Sequence, residues 1–92
     1  MIFEWNIAKA ASNLRKHGVS FEEAASVFLD PWALTFPDPE HSVDEEREIT
    51  FGASVRQRIV VVSHCPRGDR IRIISARKAT RNEKIQYEEG IN

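Results

Sequence analysis

The 92-residue sequence has a single cysteine, Cys65, which excludes an internal disulfide and any cysteine-paired zinc site. A lone thiol of this kind suits a reducing cytosol, where it packs as a small apolar group. No apolar stretch approaches the ~20 residues needed to span a bilayer. The opening MIFEWNIAKA carries Glu4 and has no basic segment ahead of a long apolar run, so it does not read as a secretory signal. The expectation is a cytoplasmic protein with no membrane partner, folded as one domain over residues 1–92. Its four glycines form no phosphate-cradling loop, and no G-x-S-x-G elbow is present. Trp5, Phe21, Phe28 and Trp32 lie away from the basic stretches, so a base-stacking platform is not evident. A formal net charge of -1 and the lack of a recognisable helix-turn-helix count against an independent DNA binder.

Near-neutrality hides a strong asymmetry. Residues 37–48 hold Arg47 against six acidic side chains, whereas residues 49–92 hold nine Lys and Arg against four Asp and Glu. From Arg56 to Arg81, eight basic residues stand with Asp69 as the one acidic side chain. Such a cluster can hold a phosphate backbone, and the competing reading is a solvated basic face.

The chain reads as β-α-α-β-β-β-β-α, an α+β arrangement with a small antiparallel sheet packed on helices. IFEW makes a brief strand. Asn6 then caps a helix through Lys16, with Ile7, Ala10, Ala11 and Leu14 at helical spacing and Gly18 at the left-handed C-cap. Ser20 and Glu23 form a capping-box pattern ahead of Phe21, Ala24, Ala25 and Phe28, and Asp30-Pro31 stops that helix. WALTF, REITFG, RIVVVSHC and RIRIISA are strand candidates, with PRGD as the hairpin loop between the last two. PDPEHSVDEE, acidic and broken by proline, reads as an exposed loop. Thr80 and Glu83 repeat the capping-box pattern before a final helix that runs to about Glu89 and ends at Gly90.

Several side chains have chemistry to offer. Arg47 shares a face with Ile49 and Phe51 if its strand is regular, and it either lines a cleft or belongs to the preceding loop. His64 ends an apolar strand and can act as general acid or base, the competing reading being a packed strand-end residue. Arg70 and Arg72 project to one strand face, and Arg77 and Lys78 fall where strand gives way to helix, near the positive end of a helix dipole. Lys16 and His17 sit at the end of the first helix, where cations are also favoured for purely electrostatic reasons. His41, Asp44, Glu45 and Glu46 match no recognised Ca, Zn or Mg spacing, so no metal site and no cofactor is expected.

FEWNIAKAASNLRKHGVSFEEAASVFLD, then EER, VVSH and RIRIISARKATRNEKIQYEE, resemble the BrnT toxin family of bacterial type II toxin–antitoxin modules over nearly the whole chain. The most specific blocks are KHGVSFEEA (16–24) and IRIISARKA (71–79). The resemblance implies a RelE-like fold with two N-terminal helices, a four-stranded antiparallel sheet and a C-terminal helix. It also implies a ribonuclease that arrests growth and is neutralised by a BrnA-type ribbon-helix-helix antitoxin, in a 2:2 complex that touches operator DNA only through the antitoxin. The family's basic and polar positions fall on Lys16, His17, Arg47, His64, Arg72, Arg77 and Lys78.

Cleavage of RNA without a metal needs placed positive charge and proton transfer as the 2′-hydroxyl attacks phosphorus. The expected catalytic set is His64, Arg47, Arg72 and Arg77, with Arg72 and Arg77 stabilising the phosphoryl oxygens and His17 as reserve for His64. Lys16, His17, Arg70, Lys78 and Arg81 are the expected RNA-phosphate contacts. The alternative is a non-catalytic binding module whose basic face docks an antitoxin in a repressor complex.

Overall fold

The computed structural model describes residues 1–91. Its order is β1 (Ile2–Glu4), α1 (Ile7–His17), α2 (Phe21–Ser26) with a 3₁₀ turn at Val27–Leu29, β2 (Leu34–Pro37), a 3₁₀ turn at Pro39–His41, β3 (Glu48–Ala53), β4 (Ile59–Arg67), β5 (Arg70–Lys78) and α3 (Arg81–Ile91).

The local signals act as their chemistry dictates. Asn6 Oδ1 accepts the Lys9 N–H, and Gly18 takes the left-handed cap at φ 69°. Ser20 Oγ accepts the Glu23 N–H to start α2. Only the last capping box is reciprocal: Thr80 Oγ1 accepts from Glu83 N, and Glu83 Oε1 accepts from Thr80 N. The side chain of Glu23 turns inward instead, to Ser54 and to the Arg58 guanidinium.

The sheet departs from the four antiparallel strands expected. It has five strands in the order β1-β5-β4-β3-β2, and β1 joins the edge parallel to β5, pairing Ile2, Phe3 and Glu4 with Arg70, Ile71 and Arg72. Parallel pairing needs a long crossover, and here α1, α2, β2, β3 and β4 all intervene, so no short-range signal marks it. Smaller differences also have reasons. Pro37 ends β2 rather than lying beyond it, tolerated because β2 is an edge strand. The last hairpin turns on Gly68 and Asp69 alone, with Gly68 at φ 63°. Gly90 lies inside α3, against Leu34, rather than ending it.

One face of the sheet packs on α1, α2 and the following turn. Phe21, Val19, Ala24 and Val27 meet Val60, Val62, Ile73 and Ala76, all essentially inaccessible. Each large side chain so buried contributes roughly 1.5–3 kcal/mol. The apolar stripe of α1 is buried only in part: Ala10 packs on the core, Ile7 and Leu14 are exposed, and the buried residue is Asn13. Its carboxamide donates to Ala76 O at 2.8 Å and to Val19 O at 2.9 Å, and accepts from Ala76 N at 3.1 Å. Beyond the three residues paired with β1, Asn13 thus supplies β5 with the bonds a strand partner would make.

Asn13→Ala strips those partners from three buried backbone groups, each worth ~1–3 kcal/mol when left unsatisfied. We expect the urea midpoint to fall by the equivalent of roughly 3 kcal/mol or more with an unchanged m-value, a large share of a small domain's stability. A loss below about 1 kcal/mol would show that water replaces the clamp.

Candidate functional site

The other face of the sheet carries a cleft of about 250 Å³, lined by His17, Asp38, His41, Arg47, Ile49, Val61, Ser63, Ser75, Ala76 and Arg77. Three segments build it. The C-terminal residue of α1 brings His17, the loop between β2 and β3 brings Asp38, His41 and Arg47, and the paired strands β3, β4 and β5 form the floor. Two further depressions adjoin it. One shares His17 and Ser75 and adds Lys9, Ser12 and Lys16. The other shares His41 and Arg47 and adds Glu40, Val43, Asp44 and Glu45.

Strand register decides which basic residues share this face. Ile49 pairs with Ser63 and Ser63 with Ser75, while Val61 pairs with Arg77. Arg47 continues the same alternation, two residues before Ile49, as its sequence position suggested. Arg72 pairs with Cys65, also on this face, only because the ladder shifts between Ser63 and His64 and leaves Ile74 as an extra residue. A regular strand would have put Arg72 and Arg77 on opposite faces. Arg72 does not line the cleft, however; with Arg67 and Glu45 it surrounds the buried Cys65 thiol, which burial pushes up in pKa.

The remaining basic candidates are dispersed. Lys78 pairs with Val60 and so belongs to the helix-packed face, not the cleft. Arg70 is exposed at the hairpin end of β5, and Arg81 is exposed at the start of α3. Arg77 and Lys78 are strand residues, not the connection that was expected. Arg77 is already committed: its NH1 and NH2 donate to Glu83 Oε1 and Oε2 at 2.7 and 2.9 Å. That pair, together with the capping bond from Thr80, holds the Glu83 carboxyl down at about 2. Arg58 likewise clasps Glu23, and Arg56 and Arg67 lie 4.0 Å from Glu23 and Glu45. Half of the eight basic residues from Arg56 to Arg81 are therefore balanced internally.

His64 does not fit the proton-transfer role expected of it. It is 3% exposed, on the face opposite the cleft, with its ring edge-on to Phe28 at 4.9 Å. Its Nε2 is 2.7 Å from Thr50 Oγ1, which in turn is 2.8 Å from Thr35 Oγ1. Burial drives its pKa down to about 4, so the ring is neutral at pH 7. Val60, Val62 and His64 simply alternate onto the core side of one strand.

What the cleft does hold is imidazole and guanidinium. His17 is half-buried in its wall. Arg47 Nε is buried without a hydrogen-bond partner, one of two such side-chain atoms among the described residues, the other being His64 Nδ1. The Arg47 nitrogen is itself inaccessible; it is as a lining residue with no ion pair among the described residues that Arg47 offers its charge to an anionic oxygen in the cleft. Among the described residues no three His, Cys, Asp or Glu side chains group as metal ligands would. No helix among them is long and apolar enough to cross a membrane. The titratable cleft residues absent from the expected set are Asp38 and His41. In the sequence His41 stands out only as a metal-ligand candidate whose spacing fits no recognised site, because what joins it and Asp38 to Arg47 and His17 is tertiary.

A family model described as the ribonuclease toxin BrnT of type II toxin–antitoxin systems matches residues 5–83. The 1.1 Å crystal structure of the Brucella abortus ribonuclease toxin BrnT is similar in fold, with a TM-score of 0.68 at 24% identity, covering 88% of this chain and 100% of that one. Among curated proteins there is no match.

Burial of His64 has a measurable consequence. Between its ordinary value of 6.5 and about 4, the unfolded chain takes up a proton that the folded chain refuses. Stability should therefore fall as pH drops through that window, by up to ~1.4 kcal/mol per pH unit in its middle. His64→Gln should flatten the slope between those limits and leave the loss below pH 4.5 that follows from protonating Glu83. Urea melts of both chains from pH 7 to 3 test this; parallel profiles would mean that the folded state accommodates a charged His64.

Proposed function

The chain belongs to the BrnT family of ribonuclease toxins of type II toxin–antitoxin systems, and on that premise we propose that its cleft cleaves RNA without a metal ion. The supporting observation is the joint lining of one cleft by His17, Arg47 and Arg77. In this chemistry the RNA 2′-hydroxyl attacks the adjacent phosphorus, a bond from O2′ to phosphorus forms, the bond to O5′ breaks, and a 2′,3′-cyclic phosphate remains. A group must take the 2′-hydroxyl proton, and cations must meet the charge that grows on the non-bridging oxygens. His17 is the base. Arg47, which lines the cleft and has no ion pair among the described residues, is the main charge stabiliser. Arg77 is a weaker electrophile than its sequence position suggests, because Glu83 already occupies both terminal nitrogens. Requiring a 2′-hydroxyl selects RNA over DNA by chemistry alone.

The strand approaches the cleft along cations with no ion pair among the described residues. Lys9 and Lys16 border the depression that continues the cleft past His17 and Ser75. Arg72 on the same sheet face, and Arg70 and Arg81 farther out, contribute to capture of the backbone. Each contact to a single strand adds ~0.7 to the slope of log affinity against log salt. Cleavage of cellular RNA by this route would arrest growth.

Membership in a type II system implies an antitoxin partner. A BrnA-type ribbon-helix-helix antitoxin bound 2:2, reaching operator DNA through its own DNA-binding part, completes the proposal. Exposed Leu29, Trp32 and Phe36, on or beside the unpaired outer edge of β2, favour protein docking there. That same observation suits the alternative, a non-catalytic binding module, which would show no turnover when free of antitoxin.

The purified chain, incubated with end-labelled RNA in EDTA, should leave 2′,3′-cyclic phosphate ends. His17→Ala and Arg47→Ala should each lose ~10²-fold or more in kcat. Arg77→Ala should lose less, and should also loosen the start of α3 by uncoupling Glu83. Cleavage that stops in EDTA and returns with a divalent ion would overturn metal independence, and undiminished cleavage by His17→Ala would remove it as the base.

A further inference from the structure

We propose that His41, held by Asp38, is the proton donor to the leaving 5′-oxygen, so that the cleft works with two histidines rather than one. The inference rests on the ribonuclease reading above and assigns a further catalytic residue to it.

His41 lies in the acidic loop, in a stretch that composition alone marks as solvated. The loop is nevertheless closed and internally bonded. Asp38 N–H donates to Arg47 O at 2.9 Å across its neck, Arg47 N–H donates to Ser42 Oγ at 2.9 Å, and Ser42 Oγ–H donates to Asp38 O at 2.7 Å. His41 is thereby fixed relative to Arg47, the residue assigned to the phosphoryl oxygens. Its ring Nδ1 is 2.9 Å from Asp38 Oδ2. An ionised carboxylate accepts only, so Nδ1 carries the proton of that bond and Nε2 is left to exchange protons elsewhere. Nε2 has no partner among the described residues. The Asp38 side chain is 14% exposed and that of His41 is 61% exposed, the arrangement of a fixed orienting group behind a reachable ring.

Position supports the role. His41 lines the main cleft with His17, Arg47 and Arg77, and it also lines the adjoining depression with Glu40, Asp44 and Glu45. Those three carboxylates and Asp38 are the acidic groups around it; His17, Arg47 and Arg77 are the basic ones. The acidic flank disfavours RNA phosphates on that side, while the Lys9–Lys16 flank favours them. His41 therefore marks the border of the phosphate path, where a departing strand end must be protonated and released. The step balances: His17 takes the 2′-hydroxyl proton as the bond from O2′ to phosphorus forms, and His41 Nε2 gives a proton to O5′ as the bond from phosphorus to O5′ breaks. Exchange with water restores both rings. A protonated ring that has given its Nε2 proton keeps its Nδ1–H on Asp38, so the donor returns to a single tautomer.

The test uses one RNA oligonucleotide in two forms, all-oxygen and with a bridging 5′-sulfur at the cleaved linkage. A thiolate leaves without being protonated, so it bypasses the donor. His41→Ala should cut the all-oxygen RNA ~10²-fold more slowly than wild type yet cut the sulfur form close to the wild-type rate, which also shows that the variant is folded. His17→Ala should be slow on both. Equal losses for His41→Ala on the two substrates, or no loss on either, would overturn the assignment while leaving the ribonuclease reading intact. A wild-type chain inactive on both would overturn that reading and this one together.

Discussion

The carboxamide of Asn13 is the interaction that fixes the α1 wall of the cleft to its β5 floor. One side chain, fully used, joins residues 63 positions apart by bonding both the N–H and the C=O of Ala76, and it reaches the chain beyond α1 through Val19 O. Ala76 lies between Ser75 and Arg77 on β5, and His17 lies one helical turn beyond Asn13 on α1. Fixing Asn13 against Ala76 therefore fixes His17 across from Ser75. A hydrophobic residue there could bury as much surface but would leave a strand edge unpaired in a dry setting. A polar residue at the most buried position of a helix that leaves Ile7 and Leu14 in water is an exception to the ordinary amphipathic pattern. The exception makes sense because Asn13 meets the edge of β5 beyond its pairing with β1, where backbone groups need partners.

A second constraint is the ladder shift that leaves Ile74 unpaired. Strand alternation has a period of two, so one extra residue exchanges the faces of everything beyond it. Here the shift lets β5 contribute Ile73 and Ala76 to the core and still present Arg72, Ser75 and Arg77 to the other face. The strand can then serve packing and charge presentation at once, which regular alternation in RIRIISARK would prevent.

These two features also explain what could and could not be read in the residues. Caps and turns were legible because their causes are local: Asn6, Gly18, Ser20, Gly68 and Thr80 each act within about four positions. Arg47 could be read as a cleft residue, counting two back from Ile49, or as part of the preceding loop, and it is both; the same counting from Val62 puts His64 in the core, which is the packed strand-end reading of VVVSH. The parallel pairing of β1, the Asn13 clamp and the neighbourhood of His41 were not legible, since each joins segments through tertiary geometry. The acidic loop read as solvent-exposed because its composition is; nothing in composition reports that Asp38, Ser42 and Arg47 bond one another into a closed frame.

Charge is where sequence and structure differ most in functional meaning. Counted along the chain, the C-terminal half looks like a broad polyanion surface. Folded, its arginines divide into those that hold the protein together and those that remain available. Arg58 is spent on the buried Glu23, which with Ser54 ties α2 to the β3–β4 turn, and Arg77 is spent on the cap of α3. The charge without an ion pair among the described residues is smaller, and the part of it that borders the cleft and its adjoining depressions is Lys9, Lys16 and Arg47, with Glu40, Asp44 and Glu45 beyond Arg47. A broad basic face would bind any nucleic acid tightly and release it slowly. A short track with a negative end stop would hold a polyanion more weakly than such a face, which is what the proposed cleavage and release of RNA would need.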